Sequence, residues 1–474
     1  MDANELVYLS LREAANLIAA RQVSPLELAE ACIARAAALD DDLHAYLTPT
    51  FETAREEARI ATEEIAAGRS RGPLHGIPFA IKDLYETAGV RTTGGSKLRE
   101  EYIPAEDAET VARLKQAGAV MLGKLNLHEW AMGGTNVNVF FPTPKNPWDR
   151  TKITGGSSGG SAVALAAGYC YGSLGSDTRA SIRLPASLCG ITGLKPTYGR
   201  VSLRGVIPLV WSLDHAGPMA RSAEDCALIL SAIAGYDDRD PTSVDVPVPD
   251  YVAFLEPASA TTRPLESVRI GVPRNFFFDP SALQPEVLAA VSATQPIFEA
   301  LGAELTEVDF PDPDYYQDNM VFNAESAAYH EERLRERPEE LSAAPRQRVA
   351  ASLELKAVDY ARARWRQEEF KQKLRVLMRD VDLILTPTAA VVAFDIADVN
   401  PAEPAGPGRI LARQTGAFNT LGVPAISVPC GFSASGLAIG LQLSGRWWEE
   451  GLVLRAAHAY QGATDWHRRR PPLP

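Results

Sequence analysis

From Ile77 to Ala234, short apolar runs alternate with helical segments, and that alternation leaves few folds open. Ile77–Ile81 reads as a buried strand, Thr110–Ala117 as a helix, Ala119–Gly123 as a strand and Leu125–Met132 as a helix. Another helix follows the Gly/Ser cluster at 155–161. Tyr171–Gly175 reads as a strand, and Ser222 caps a helix to about Ala234. Short apolar runs between helices predict an α/β fold, with strands buried on both faces of a sheet. Tyr236–Pro264, rich in Asp and Pro, reads as a long surface connection and the best candidate boundary.

The pattern then resumes. Val268–Val272 is expected as a strand, Pro285–Leu301 as a helix, Ala324–Arg379 as mostly helical and Val381–Leu385 as a strand. Pro401–Pro407 reads as a loop, and Ala425–Val428 with Leu437–Leu443 as a late strand pair. Upstream, Ser24-Pro25-Leu26-Glu27 is a capping box with proline at the first helical position, opening a helix to about Leu39. A charged helix is expected over 51–67, which makes 1–70 a helical segment packed on a core formed by 71–474.

Bulk properties exclude some classes. Hydrophobic residues are 46% and charged residues 23%, so the chain can bury a large core. The net charge of −13 repels nucleic acid and anionic membranes in bulk, and the basic cluster His467–Arg470 reads as a solvated tail. The five cysteines are widely spaced and odd in number, which fits a reducing compartment. The opening MDANELVYLS lacks the pattern of a secretory leader, and no apolar run is long enough to span a membrane. A cytoplasmic protein is expected.

Three segments carry chemistry. Thr154-Gly-Gly-Ser-Ser-Gly-Gly-Ser161 sets four glycines and three serines before an Ala-rich helix. By itself it reads as a linker, as a phosphate-cradling loop, or as a G-x-S-x-G elbow with Ser158 at its centre. His330, His458 and His467 make poor bases for such an elbow, two lying in helices and one in the tail. Lys82 closes the apolar run 77–81. It is either paired with a carboxylate, Asp83 being the neighbour, or held neutral by desolvation. In Leu174-Gly-Ser-Asp-Thr-Arg-Ala-Ser-Ile-Arg-Leu-Pro185 a strand runs into a turn bearing Ser181. Successive free N–H groups in such a turn form an anion-binding concavity.

Together these stretches resemble the amidase signature family. The resemblance is carried by Gly76–Asp83, Thr154–Ser161 and Gly175–Pro185, with Asn146–Trp148, Gly193–Arg200, Leu213–Pro218 and Gly422–Pro429, and it covers nearly the whole chain. It implies a large mixed β-sheet, mostly buried and wrapped by helices. It also implies a Ser–Ser–Lys triad with Ser181 as nucleophile, Ser157 as bridging serine after a cis Gly156–Ser157 bond, and Lys82 as base. The backbone N–H groups of Thr178, Arg179, Ala180 and Ser181 match the family's oxyanion hole. Ser158, Asp177 and Arg183 match supporting positions. By position, Met132, Gly133, Gly134 and Thr135 line the acyl pocket from one side, and Thr415 and Phe418 from another. The paired glycines suggest a bulky or aryl-containing substrate. A mainly helical insertion at about 311–379 is expected to cover the mouth.

Arg179-Ala180 departs from the resemblance, since the family commonly has two glycines there. The change either distorts the hole or places a guanidinium beside the substrate, unless Arg179 faces solvent or pairs with a carboxylate.

The expected activity is hydrolysis of carboxylic amides, with carbamate (urethane) or ester cleavage by the same chemistry. The partner expected is a small-molecule amide or carbamate, without nucleic acid, membrane, metal or organic cofactor, on a monomer or homodimer. One alternative is an amidotransferase subunit of a tRNA-dependent complex. Against it stand His215, where those subunits usually carry Gln, and Ala412, where they place an Asp for the amino group of glutamine. A second alternative is a non-catalytic binding protein with a spoiled hole.

Overall fold

The computed structural model describes residues 3–256, 263–317, 319–403 and 408–474. Parts of the expected connection Tyr236–Pro264 and of the expected loop Pro401–Pro407 therefore lie outside the described residues. One mixed sheet organises the chain, with eleven strands among the described residues. In chain order they are β1 (Tyr46–Pro49), β2 (Pro78–Lys82), β3 (Val120–Leu125), β4 (Gly172–Ser176), β5 (Thr192–Lys195), β6 (Ala216–Ala220), β7 (Arg269–Pro273), β8 (Glu304–Val308), β9 (Leu383–Pro387), β10 (Ala425–Phe432) and β11 (Ala438–Ser444). Their spatial order is β1-β3-β2-β4-β6-β5-β10-β11-β9-β7-β8. Parallel pairing joins β3, β2 and β4 near one end and β9, β7 and β8 at the other, and antiparallel pairing fills the middle.

Burial follows this order. Every residue of β2, β3, β4, β5 and β6 is buried, because helices cover both faces. Edge strand β8 is half-polar, Glu304-Leu-Thr-Glu-Val308, which blunts an exposed ladder. The five cysteines are free and buried.

Local signals explain the helix starts. Ser24 Oγ accepts from Glu27 N, and the Glu27 carboxylate accepts from Ser24 N, opening helix Pro25–Leu43. Ser222 caps Ala223–Ile233. The expected helix Pro285–Leu301 is two shorter ones, Pro285–Ser292 and Gln295–Ala300. Pro296 accounts for the break, since it cannot continue the hydrogen-bond ladder.

The expected helix Leu125–Met132 is corrected. Leu125 ends β3, and only Glu129–Ala131 forms a 3-10 turn, with Trp130 in the left-handed region at φ 51°. The side chain of Asn126 donates to the carbonyls of His44 and Pro142, and this diverts the chain from a helix. In the tail, Arg468, Arg469 and Arg470 are exposed, while Arg469 lies 4.0 Å from the Trp466 ring and Arg470 4.6 Å from the Tyr8 ring.

Between residues 311 and 379 the longer helices are Met320–Glu336, Ala343–Ser352 and Ala357–Leu377. They lean on loops leaving the sheet. Ser212 N and Oγ donate to Glu325, Ser342 N donates to Glu129, and Arg179 reaches Asn319. Among the described residues no helix is long and apolar enough to cross a membrane.

Candidate active site

β2 delivers Lys82 into the core with no exposed surface. Its Nζ donates to Ser157 Oγ at 2.7 Å and to Ser176 Oγ at 2.8 Å. Of the two readings of Lys82, the structure does not support pairing with Asp83. Asp83 accepts from Thr93 N and Oγ1 and lies 3.1 Å from Lys124, whereas Lys82 makes no ion pair among the described residues. Burial drives the Lys82 ammonium well below the ordinary lysine range, and the more distant Asp177 and Asp214 only partly oppose it.

Ser157 follows a cis Gly156–Ser157 bond, and its carbonyl accepts from His128 N at 3.2 Å. Ser158 N donates to Ser181 O at 3.3 Å, which ties the Gly/Ser segment to the turn after β4. Ser158 Oγ donates to Ser176 O and accepts from Ser176 N. Helix Gly159–Ala166 starts at once and is wholly buried. At Gly160 an added Cβ would lie 2.5 Å from Asn126 N, so only glycine permits this close approach.

The turn carrying Ser181 is held by a buried ion pair. Arg183 Nε and Nη2 donate to the two oxygens of Asp177 at 2.9 and 3.0 Å. Further bonds run from Arg183 to Thr415 O, Gln442 and Asn419, and from Asn419 Nδ2 to Asp177. Burial would raise the Asp177 carboxyl, but the Arg183 charge and hydrogen bonds outweigh it and hold that carboxyl far below the usual range.

Thr178 Oγ1 donates to Asp214 at 2.6 Å, and Ala180 packs in a small apolar cluster with Leu184, Leu188 and Leu411. The backbone N–H groups of Thr178, Arg179, Ala180 and Ser181 donate to no acceptor among the described residues, while the next two, Ile182 and Arg183, reach Asp177. These four groups lie in the turn that carries Ser181, itself 8% exposed.

The other predicted positions fall nearby with mixed environments. Met132 and Thr135 are nearly buried, and Gly133 lies against His128, where a Cβ would meet the imidazole. Gly134 faces Leu411 and Leu184. Thr415 is fully buried. Phe418 sits in an aromatic cluster, 5.7 Å from Phe277 and 5.8 Å from Phe310 by ring centroids. His215 Nδ1 lies 2.7 Å from Leu213 O, its backbone pairs with Asp177, and burial pushes its pKa well down. Ala412, half-buried, packs beside the Ile153–Leu411 cluster. No group of His, Cys, Asp or Glu suited to a metal occurs among the described residues.

Sequence reasoning missed Ser176, Asp214 and Asn419. Ser176 lies inside the quoted 175–185 stretch, so strand register could have found it. Asn419 reaches Asp177 from 242 residues away, and no local signal marks it.

The sequence profile of the family described as Amidase matches residues 27–454. This chain belongs to the amidase family. It is an enzyme of amide C–N bonds. The A subunit of glutamyl-tRNA(Gln) amidotransferase from Roseiflexus sp. (strain RS-1) is 42% identical to it, over 98% of each chain. Among solved structures, a chain from a vestigial protein complex that bears on the evolutionary origins of an s-triazine catabolic enzyme is 34% identical over 96% of this chain and 98% of that one, with a TM-score of 0.88. A peptide amidase from Stenotrophomonas maltophilia is 30% identical over 98% of both chains, with a TM-score of 0.84.

These relatives overturn the expected partners. A small molecule as sole partner, with no nucleic acid, does not stand beside whole-length identity to a subunit named for a tRNA. The expectation rested on His215 and Ala412, two positions, whereas the likeness to the A subunit runs the whole length of the chain.

Proposed function

We propose that this amidase-family chain cleaves a carboxamide through an acyl-enzyme on Ser181, as the amide-cleaving subunit of an amidotransferase-type assembly. The observation that carries the chemistry is Lys82, fully buried, without an ion pair among the described residues and 2.7 Å from Ser157 Oγ. Neutral Lys82 takes the Ser157 hydroxyl proton while Ser157 takes that of Ser181, and Ser181 Oγ attacks the carbonyl. The N–H groups of 178–181 hold the tetrahedral oxyanion, each such donor being worth about 3 kcal/mol. The proton returns through Ser157 to the leaving nitrogen, and water then frees the acid. The assembly rests on the 42% whole-length identity to the A subunit of such an enzyme. Co-expression with the other subunits of an amidotransferase, followed by assay of ATP-dependent amidation of glutamyl-tRNA(Gln), tests it. Neither co-purification nor amidation would defeat this part.

A second reading, in which the amine is released to solvent from a small amide, is favoured by two residues. Ala412 offers no carboxylate for the amino group of glutamine, and His215 stands where the amidotransferase subunits usually carry Gln. A panel of primary amides, anilides and aryl carbamates, set against glutamine, separates the two readings by kcat/KM.

A further inference from the structure

Arg179 is fixed on both sides. Thr178 is tied to Asp214, and Ala180 is packed among leucines, so the backbone on either side of Arg179 is anchored. The Arg179 side chain points towards the 320–336 helix and the segment at 415–421. Its Nη1 donates to Asn319 Oδ1 at 2.6 Å, its guanidinium lies 5.9 Å from the Phe322 ring centre, and a Cβ at Gly416 would come within 3.6 Å of its Nε. Asn319 is neutral and engages one of five N–H donors. No carboxylate among the described residues pairs with Arg179.

The charged group that bears on it is instead another guanidinium. Arg348 lies 5.4 Å from the same Phe322 ring, so two cations flank one aromatic side chain. Burial, and then Arg348, lower Arg179 to about 10, which still leaves it cationic at neutral pH. An anion entering beside Arg179 is attracted to its guanidinium. A guanidinium with free N–H groups, two residues from Ser181, suits a carboxylate fork to fork.

We propose that Arg179 is the specificity residue for a carboxylate carried by the amide substrate close to its scissile bond. This rests on the acyl-enzyme reading above. The substrate class is thus the monoamide of a dicarboxylic acid or a comparable amide with an anionic arm. Asn319 positions the guanidinium, and Phe322 gives it an apolar wall.

The test compares ammonia release from the monoamides of succinic, glutaric and adipic acids with butanamide, pentanamide and hexanamide. For at least one chain length the carboxylate form should be preferred about 10- to 100-fold in kcat/KM. Arg179→Gln should reduce that ratio to near one, and Arg179→Lys should keep part of it. No preference in the wild type, or equal scaling of both substrates in Arg179→Gln, overturns the proposal. Calorimetric binding of the same pairs to Ser181→Ala, with and without Arg179→Gln, reads the ratio without turnover. Fluorophosphonate labelling of Ser181 reports separately on the acyl-enzyme. A binding ratio without labelling sinks the acyl-enzyme and upholds the carboxylate site, whereas labelling without a ratio does the reverse.

Discussion

Lys82 and Asp83 are consecutive in the chain, yet they do not share a partner. Asp83 lies 3.1 Å from Lys124, and Lys82 turns to Ser157 and Ser176. Lys124 therefore supplies Asp83 with its cation, and Lys82 is left to desolvation.

That arrangement sets the pH dependence. The active base is the neutral amine, and burial lowers its pKa, so activity should rise with pH through the lowered value and level off below the ordinary lysine value of about 10.4. Below that limb the lysine is protonated and cannot take a proton from Ser157. A kcat/KM profile measures the limb, and Lys82→Ala should lower the rate and flatten the rise. An unchanged limb in that variant assigns the titration to another group.

Ser176→Ala should move the same limb to lower pH. The Ser176 hydroxyl accepts from Lys82 Nζ at 2.8 Å and so favours the charged form. Its loss removes one hydrogen bond, about 1 kcal/mol, and should slow turnover about fivefold. A limb that moves upward contradicts this account.

Ser181→Ala should abolish turnover by several orders of magnitude while the protein still folds. Ser158→Ala should be milder, because among the described residues the Ser158 hydroxyl bonds only the backbone of Ser176. Activity surviving in Ser181→Ala and lost in Ser158→Ala would restore the G-x-S-x-G elbow.

Arg183→Ala should destabilise the protein by about 3–5 kcal/mol, since it leaves the buried Asp177 carboxylate uncompensated. The pH sign follows from the depressed Asp177 pKa. Its contribution is complete above the unfolded value of about 3.9 and is lost as pH falls below that towards the folded value. Urea titrations from pH 7 to pH 2 should show that loss in the wild type and a shallower one in Asp177→Asn. Parallel curves would place the acid sensitivity elsewhere.

Several strands were legible in the sequence as short runs between helical segments. β2, β3, β4, β7 and β9 lie within one or two residues of the expected runs. β5 and β6 were not, because Thr192-Gly-Leu-Lys195 and Ala216-Gly-Pro-Met-Ala220 have poor strand propensity and are strands through their neighbours. Over 125–132 helical periodicity was overridden by Asn126, whose bonds to His44 and Pro142 are non-local. At the site, motif order pointed to Lys82, Ser157 and Ser181, but the contact of Arg179 with Asn319 joins positions 140 residues apart and leaves no mark on either local sequence.

The N–H groups at 178–181, which donate to no acceptor among the described residues, belong to the main chain, and every amino acid except proline supplies them. Position 179, which is only half-buried, can therefore exchange its side chain while the main-chain donors stay in the chain, whereas Ala180 is packed among Leu184, Leu188 and Leu411. A library confined to codon 179 would vary charge and bulk two residues from Ser181. The protein thus offers a compact handle for directed evolution towards new amides.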